Sequence, residues 1–345
     1  MCTKPLKAAV KTYTEFIETN LLDPTIFPSV KILEREVIKK IASLFSGHKI
    51  EGYVTSGGTE GNIIALWVAR KLLNREFVLA PVSAHYSVDK ACDLQQIKVI
   101  HSHLDDHYRA SVESIQEKVS KKTIAIVATA GTTALGLVDP IKEIAEIAKD
   151  HRCFLHVDAS FGGFVLPFLK NPPQWDFGIN SVMSIITDPH KMGLAPIPAG
   201  SVLFREGSLK VVERDVPYLR KTSSTLLGTR AGASAAAVWT ALNLLRAKKY
   251  KTIVRRCMDL TERLAKGIKK INGLGLVVEP ELNIVAFKPA NVNLNELEKS
   301  LKSKNWLVSI NKEPKSIRLV VMPHHRRKHI TSFLSTLREC VEELA

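Results

Sequence analysis

The segment TDPHKMG (187–193) places a lysine directly after a histidine, in a short turn that follows an apolar run. That run, SVMSII (181–186), has the composition of a buried strand, and the next segment, MGLAPIPAG, carries no charge. We therefore expect Lys191 to lie in apolar surroundings, which lower the pKa of an amine and free its lone pair. A single lysine of this kind is more often a surface charge, so its interpretation depends on what accompanies it.

A glycine-rich segment, TSGGTEGN (55–62), lies between an expected strand and an expected helix. Glycines let the backbone approach an anion, and a helix N-terminus offers free N–H groups to phosphate. Gly58 and Thr59 are the candidate contacts. The spacing matches neither a dinucleotide loop nor an ATP loop, and an ordinary helix cap is an equally good interpretation.

Three further polar segments follow expected strands. His85, in SAHYS, could stack on a flat ligand, although a loop histidine with satisfied hydrogen bonds is the more common case. TAGTT (129–133) has small side chains that leave room for a ligand, and it is otherwise a simple turn. Asp158 ends the apolar run FLHV, where a carboxylate must be paired with a cation or its pKa rises.

Taken together, these segments predict a ligand that has a phosphate, a flat ring, a protonatable ring atom and an aldehyde that reacts with a lysine. Pyridoxal 5′-phosphate has all four. The five cysteines are scattered without a CxxC pair, so the sequence indicates neither a zinc site nor a disulfide framework.

Short apolar strands alternate with helices up to about residue 230, which favours a mostly parallel sheet covered on both faces. In such sheets ligands bind at the carboxyl ends of the strands, where the polar segments fall. Beyond that point a long helical stretch leads to shorter strands and two helices, an α+β pattern. We expect an N-terminal segment (1–45), a large cofactor-binding domain (46–235) and a small C-terminal domain (236–345).

The composition excludes several classes of protein. A chain of 345 residues that is 45% hydrophobic and 24% charged can bury a large core. No run approaches the length of a membrane helix, and the N-terminus lacks the apolar core of a secretion signal, so we expect a cytoplasmic protein. The net charge of +15 is spread over many short basic stretches, including RAKKYK and HHRRKH. Nucleic-acid binding is therefore not indicated, although a polyanionic partner or anionic ligands would also account for the charge.

Nearly the whole chain resembles the archaeal group II pyridoxal-phosphate decarboxylases of the L-tyrosine/L-aspartate decarboxylase family. The matching stretches are YTEFIETNLLDPTIFP, TSGGTEGN, SAHYS, ATAGTTALGLVDPI, LHVDASFGGFVLPF, ITDPHKMGLAPIPAG, GTRAGASAAAVW, EPELNIVAF and VVMPH. The resemblance implies an α/β fold of the aspartate aminotransferase type (fold type I) and a homodimer with shared active sites. It also implies an N-terminal leader of some tens of residues, which we expect to form a helix or arm near the dimer interface; here the sequence begins where that leader would end.

The resemblance assigns roles residue by residue. Lys191 matches the lysine that binds the cofactor aldehyde, and His190 lies beside it. Asp158 matches the carboxylate that keeps the pyridine nitrogen protonated, and His85 matches the ring that stacks on the pyridine. The remaining cofactor contacts that the resemblance implies are Gly58, Thr59, Thr133, Asp188 and Ser160, the last standing where alanine is common.

Two assignments have a structural alternative. Tyr218 precedes a leucine in the segment that matches a mobile loop, whose tyrosine assists protonation of the substrate carbon; a packed tyrosine is equally plausible. Arg230 is a candidate for a substrate carboxylate, or else part of a structural ion pair. The implied reaction is decarboxylation of L-aspartate to β-alanine, a coenzyme A precursor. L-Tyrosine giving tyramine for methanofuran, L-glutamate, and a related lyase or aminotransferase reaction remain open.

Overall fold

A computed structural model of the chain describes residues 4–345, and within them seven strands form one large sheet. In chain order these strands are β1 (Ile50–Thr55), β2 (Phe77–Pro81), β3 (Lys98–Ser102), β4 (Thr123–Thr129), β5 (Phe154–Asp158), β6 (Val182–Thr187) and β7 (Gly200–Arg205). Their spatial order is β1-β7-β6-β5-β4-β2-β3. The pairs from β6 through β5, β4 and β2 to β3 are parallel, and β7 is antiparallel to both β1 and β6. The expected mostly parallel sheet is confirmed.

The central strands are covered on both faces. Every residue of β4 and β5 is buried, as expected for parallel strands that carry helices on either side. These helices alternate with the strands because each parallel crossover needs a long connection. Among the helices up to residue 150 are α1 (Lys7–Glu15), α2 (Pro28–Leu44), α3 (Gly58–Leu73), α4 (Ser87–Leu94), α5 (Val112–Lys118) and α6 (Ile141–Asp150).

A short hairpin follows the large sheet, where the sequence predicted a mobile loop. Its strands are β8 (Arg214–Val216) and β9 (Lys221–Ser223), joined by a 3₁₀ turn over Pro217–Leu219. This turn holds Tyr218. The long helix α7 (Gly232–Lys269) then crosses the expected domain limit at 235/236, with a kink at Arg246.

The C-terminal part is α+β, as predicted. Its strands β10 (Leu274–Leu276), β11 (Ile284–Pro289), β12 (Ser309–Asn311) and β13 (Ser316–Val320) pair antiparallel in the order β10-β11-β13-β12. Helices α8 (Leu294–Ser303) and α9 (Arg327–Leu344) cover one face together with α7. The domain limits themselves remain predictions.

The N-terminal helices α1 and α2 pack against α7, and the Leu6 N–H donates to the Leu194 carbonyl 3.0 Å away. This bond ties the start of the chain to the loop after Lys191. Among residues 4–345, no helix is long and apolar enough to cross a membrane.

Candidate cofactor and active site

A cavity of about 420 Å³ opens where β4, β5 and β6 end. Its position follows from the topology, because the carboxyl ends of parallel strands meet at one edge of the sheet. Nine of the eleven predicted site residues line it: Gly58, Thr59, His85, Thr133, Asp158, Ser160, Asp188, His190 and Lys191. The other two, Tyr218 and Arg230, do not.

The start of α3 forms one wall of the cavity. The helix begins at Gly58, so its first N–H groups have no partner within the helix and the positive end of its dipole faces the cavity. A Cβ at Gly58 would overlap the Ser160 hydroxyl oxygen and lie 3.2 Å from Asp188 Oδ2, so a side chain there would displace the hydroxyl and crowd the carboxylate. The Glu60 carboxylate accepts the Ser56 N–H at 2.7 Å and fixes the loop before the helix. This wall suits a phosphate group.

Lys191 lies in the turn after β6 and reaches back to Asp188. Its Nζ is 2.8 Å from Asp188 Oδ2, and its side chain is 20% exposed. The expectation of apolar surroundings is therefore wrong, since the ammonium has a buried carboxylate beside it. The other Asp188 oxygen, Oδ1, is buried without a hydrogen-bond partner among the described residues. The turn thus places the Lys191 amine beside a carboxylate whose Oδ1 can still accept a hydrogen bond.

Asp158 is the last residue of β5 and is almost fully buried. Its Oδ1 accepts the Ser160 N–H at 3.0 Å, and its Oδ2 accepts Nδ2 of Asn62 at 3.1 Å. Burial alone would raise the pKa of this carboxyl, but the Lys191 charge and these hydrogen bonds outweigh burial and lower it. Asp158 is therefore ionised at neutral pH and can hold a proton on a ring nitrogen.

His85 and His190 are both half-buried at the cavity. Burial is the main cause that lowers the pKa of each, so both rings are neutral near pH 7. Nδ1 of His190 accepts the Ala199 N–H at 3.3 Å, which leaves the proton of the neutral ring on Nε2. That Nε2 lies 3.7 Å from Asp188 Oδ2.

Tyr218 lies away from this cavity. It occupies the turn of the β8–β9 hairpin and is 76% exposed. Within one chain, the structure does not bring it together with Lys191.

Arg230 is buried in an ion pair with Glu34 on α2. Its Nη2 is 3.3 Å from Glu34 Oε2, and its Nη1 donates to the Val54 carbonyl at 2.8 Å as well as to the Glu34 carboxylate. The guanidinium also stacks over the Tyr53 ring, 4.8 Å from the centroid. The predicted contact between Arg230 and the substrate carboxylate is therefore corrected to a structural ion pair, because the guanidinium already binds the Glu34 carboxylate.

Three buried polar residues beneath the cavity were not predicted: Asn62 on α3, Ser87 on α4 and His156 on β5. All three are fully buried, and Asn62 donates to both Ser87 and Asp158. One indication was available, since His156 stands two residues before Asp158 and alternate strand residues share a face. Nothing in the spacing of Asn62 and Ser87 indicated that they meet.

Arg318 is a fourth residue that the sequence did not single out. Its Nε and Nη2 are buried and have no hydrogen-bond partner among residues 4–345. It pairs with Ala286 across β13 and β11, so both side chains lie on the same face of the small sheet. Ala286 packs against Leu135 and Leu137. Ala286 thus lies against the loop that follows Thr133, whereas Arg318 itself lines a second cavity, in the C-terminal part of the chain, together with Trp306 and His325.

The residues present fit pyridoxal 5′-phosphate. The backbone at Gly58 leaves a cradle that any larger side chain would fill, at a helix N-terminus suited to a dianion. The ionised Asp158, the neutral His85 ring and the Lys191 amine would supply contacts to the ring nitrogen, the ring face and the aldehyde. The unpartnered Asp188 Oδ1 is a further acceptor in the same cavity wall.

Comparison with known proteins places the chain among characterised families. The family model described as "Pyridoxal-dependent decarboxylase conserved domain" matches residues 8–290. The chain is 42% identical to the probable L-tyrosine/L-aspartate decarboxylase of Methanothermobacter thermautotrophicus, over 98% of this chain and 95% of that protein. It is 43% identical to the L-aspartate/L-glutamate decarboxylase of Pyrococcus horikoshii (98% and 90% covered). Identity to the L-aspartate decarboxylase of Thermococcus kodakarensis is 42% (100% and 91% covered).

Solved structures share the fold at lower identity. The sphingosine-1-phosphate lyase of Burkholderia pseudomallei superimposes with a TM-score of 0.92 at 23% identity, covering 98% of this chain and 82% of the lyase. The glutamate decarboxylase of Lactobacillus brevis gives 0.91 at 21% identity, with 98% and 86% covered. These likenesses confirm the fold type I architecture. The chain belongs to the pyridoxal-dependent decarboxylases, and pyridoxal 5′-phosphate is its cofactor.

Proposed function

We propose that this decarboxylase removes the α-carboxylate of L-aspartate and releases β-alanine, a precursor of coenzyme A. The observation that carries the proposal is that aspartate is common to the names of the three relatives described above, each more than 40% identical over nearly the whole chain.

The roles of the cavity residues follow from their chemistry. When bound, pyridoxal phosphate supplies a protonated ring that withdraws electrons from the bond to the departing carboxylate. Lys191 provides the amine for the aldehyde, and Asp158 holds the ring proton with its ionised carboxylate. His85 offers a flat neutral ring for stacking. Phosphate contacts come from Gly58 and Thr59, and the remaining lining residues are Thr133, Ser160 and Asp188.

A proton must replace the lost carboxylate at Cα. Within one chain, His190 and Lys191 are the candidates that line the cavity. His190 carries its proton on Nε2 and can act as a donor there. Tyr218 can serve only if the hairpin reaches the cavity of a second copy of the chain.

We propose that two chains associate and that the Tyr218 hairpin takes part in the interface. Lys221 of this hairpin donates to the Leu22 carbonyl, and two large apolar side chains on either side of Leu22, Ile17 and Ile26, are 64% and 66% exposed. Light scattering after gel filtration measures the mass directly. We also propose a cytoplasmic location, in keeping with the described cysteines, which are free and buried: Cys92, Cys153, Cys257 and Cys340.

Arg318 is our candidate for the substrate's side-chain carboxylate. Its Nε and Nη2 are buried without a hydrogen-bond partner among residues 4–345, which is unfavourable unless an anion completes them. Arg318 lies outside the lining of the Lys191 cavity, so this contact requires the substrate's side chain to extend beyond that lining. We expect Arg318→Lys to raise KM for aspartate at least tenfold, since a bidentate contact is lost. Its effect on L-tyrosine turnover should be small, because tyrosine has no side-chain carboxylate.

The alternatives are L-tyrosine, L-glutamate and a different reaction on the same cofactor. The names of the Methanothermobacter and Pyrococcus relatives support the first two. The lyase and aminotransferase alternatives share only the fold and cofactor chemistry.

Product analysis separates these possibilities. The purified chain is loaded with pyridoxal phosphate and given L-aspartate, L-tyrosine or L-glutamate, and the amine and CO₂ are measured. β-Alanine as the preferred product supports the proposal, tyramine or γ-aminobutyrate would assign a different substrate, and an aldehyde or keto acid would indicate another reaction. Lys191→Ala should abolish turnover and the absorbance of covalently bound cofactor, while Lys170→Ala, which changes an exposed lysine, should affect neither.

A further inference from the structure

A continuous hydrogen-bond network lies beneath the cavity and links Asp158 to His85. Asn62 Nδ2 is 2.8 Å from Ser87 Oγ and 3.1 Å from Asp158 Oδ2. Ser87 Oγ is 2.7 Å from Nδ1 of His85. On the far side, Nε2 of His156 lies 2.7 Å from Asn62 Oδ1. Since the members below the cavity are fully buried, the positions of their protons can be worked out from the partners alone.

The orientation of the Asn62 amide is fixed by Asp158. An ionised carboxylate only accepts hydrogen bonds, so the Asn62 NH₂ group must face it and Oδ1 must face His156. Nε2 of His156 therefore donates to Asn62. His156 is neutral, because burial lowers its pKa to about 4, and its Nδ1 accepts from the Ser184 hydroxyl at 2.7 Å.

The same reasoning fixes the proton of Ser87. The Ser87 N–H points to Nδ1 of His85 at 3.3 Å and can only donate, so that nitrogen must accept and carries no proton. Ser87 Oγ accepts one N–H of Asn62 and directs its single hydroxyl proton to the same Nδ1. Nδ1 of His85 thus accepts from two donors, and the proton of the neutral ring must be on Nε2.

We propose that Asn62, Ser87 and His156 are positioning residues that hold His85 as the neutral Nε2–H tautomer while the same Asn62 amide aligns the Asp158 carboxylate. The consequence concerns charge. Asp158 maintains a positive charge on the cofactor ring, and a protonated His85 stacked on that ring would repel it. The network makes protonation at Nδ1 unfavourable, because two donors already occupy that lone pair.

Other charged groups act on His85 and are part of the test. The carboxylates of Asp158 and Asp188 favour a charged ring, whereas Lys191 and Lys90 oppose it. The Tyr86 ring packs on His85 with centroids 4.3 Å apart and carries no charge. The two donors to Nδ1 both belong to Ser87, its hydroxyl and its N–H, so the tautomer itself reports on the network.

Ser87→Ala is the variant that tests the proposal, and Ser102→Ala is its matched control. Ser102 is also a fully buried serine, but its hydroxyl has no hydrogen-bond partner among the described residues. Nitrogen-15 chemical shifts of labelled histidine in the cofactor-loaded enzyme identify the tautomer. We expect wild type and Ser102→Ala to show an unprotonated Nδ1 and a protonated Nε2 at neutral pH. In Ser87→Ala the His85 titration should move to higher pH and both tautomers should appear.

Binding and turnover give independent readouts. Loss of one buried hydrogen bond should weaken cofactor affinity of the apoenzyme about fivefold, measured by fluorescence quenching. We expect kcat to fall with little change in KM, since substrate contacts remain. A wild-type His85 protonated at Nδ1 would overturn the proposal without any variant. So would a Ser87→Ala enzyme whose His85 titration matches that of Ser102→Ala.

Discussion

Replacing Arg230 with alanine separates a structural role from a substrate-binding role. The guanidinium is 6% exposed and Glu34 is 1% exposed, so the ion pair is removed from solvent. Each partner makes a second contact, because Arg230 donates to the Val54 carbonyl and Glu34 accepts the Val54 N–H at 3.0 Å. The pair therefore fastens α2 to the edge strand β1. Arg230→Ala leaves a buried carboxylate with Lys31 as its remaining ion-pair partner among residues 4–345.

The loss in the free energy of unfolding depends on how far Lys31 compensates the Glu34 charge. Breaking a buried ion pair by removing one partner destabilises by about 3–5 kcal/mol, because a charge is left uncompensated. Lys31 Nζ lies 2.8 Å from Glu34 Oε2 and compensates in part, although its side chain is 33% exposed. We expect the lower end, a loss of about 3 kcal/mol in the free energy of unfolding. Lys31→Ala is the control and should cost less than about 1 kcal/mol, as exposed pairs do.

The stability lost in Arg230→Ala should be smaller in acid than at neutral pH. Burial alone would raise the pKa of Glu34, but Arg230 and Lys31 outweigh burial and lower it. Wild type therefore keeps this stabilisation above the ordinary pKa of glutamate and loses it as pH falls through the lowered value. In Arg230→Ala burial dominates and the pKa rises, so the folded variant takes up a proton in mild acid. The deficit relative to wild type should be largest at neutral pH and shrink towards about pH 4.

Urea denaturation followed by circular dichroism measures this difference, with KM for L-aspartate measured on the same preparations. An unchanged free energy of unfolding together with a KM raised tenfold or more would refute the reasoning. Arg230 would then bind substrate, as the sequence suggested.

Gly58→Ala should weaken cofactor affinity at least tenfold, because the added methyl group overlaps the Ser160 hydroxyl at the phosphate wall; Gly228→Ala, which meets nothing within 4 Å, should leave it unchanged. Asp158→Asn keeps the shape but loses the charge, and since a pair at ~4 Å and an effective dielectric of ~20 attracts by about 4 kcal/mol, we expect kcat to fall by roughly a hundredfold or more. His156 has a pKa of about 4 in the folded chain against 6.5 for an ordinary histidine, so the unfolded state takes up the proton first and stability is lost as pH falls from 6.5 to about 4. That contribution is about 3 kcal/mol, and His156→Gln should remove it from the pH dependence of urea denaturation.

Much of the fold could be predicted because its elements are locally regular. Short apolar strands alternating with helices were expected up to about residue 230, and within that region TIAIVAT forms β4 and SVDKACDL forms α4. The β8–β9 hairpin was missed since its strands have three residues each and lack an apolar alternation. Short pairings of this kind depend on contacts from elsewhere in the chain, not on local pattern.

The site residues that come at the ends of strands could be predicted from the sequence, whereas the contacts between them could not. Lys191, Asp158 and His85 each follow a buried strand, and parallel strands bring such residues together. The surroundings of Lys191 were not predictable, because apolar neighbours in sequence do not exclude a carboxylate three residues earlier. Asn62 was missed for a related reason: the amide lies within an apolar helix, and only the packing of α3 against β5 shows what it contacts.

The cavity lining differs in charge from the rest of this strongly basic chain. Among the lining residues, the charged side chains are Asp158, Asp188 and Lys191, and both lining histidines have a lowered pKa. The lining is thus slightly acidic, although the chain carries +15. We therefore expect oriented N–H groups at the start of α3, whose partial charges need no counter-ion, to hold a phosphate dianion. The long-range field of the basic surface favours the approach of anionic ligands, and the local dipoles determine where they bind.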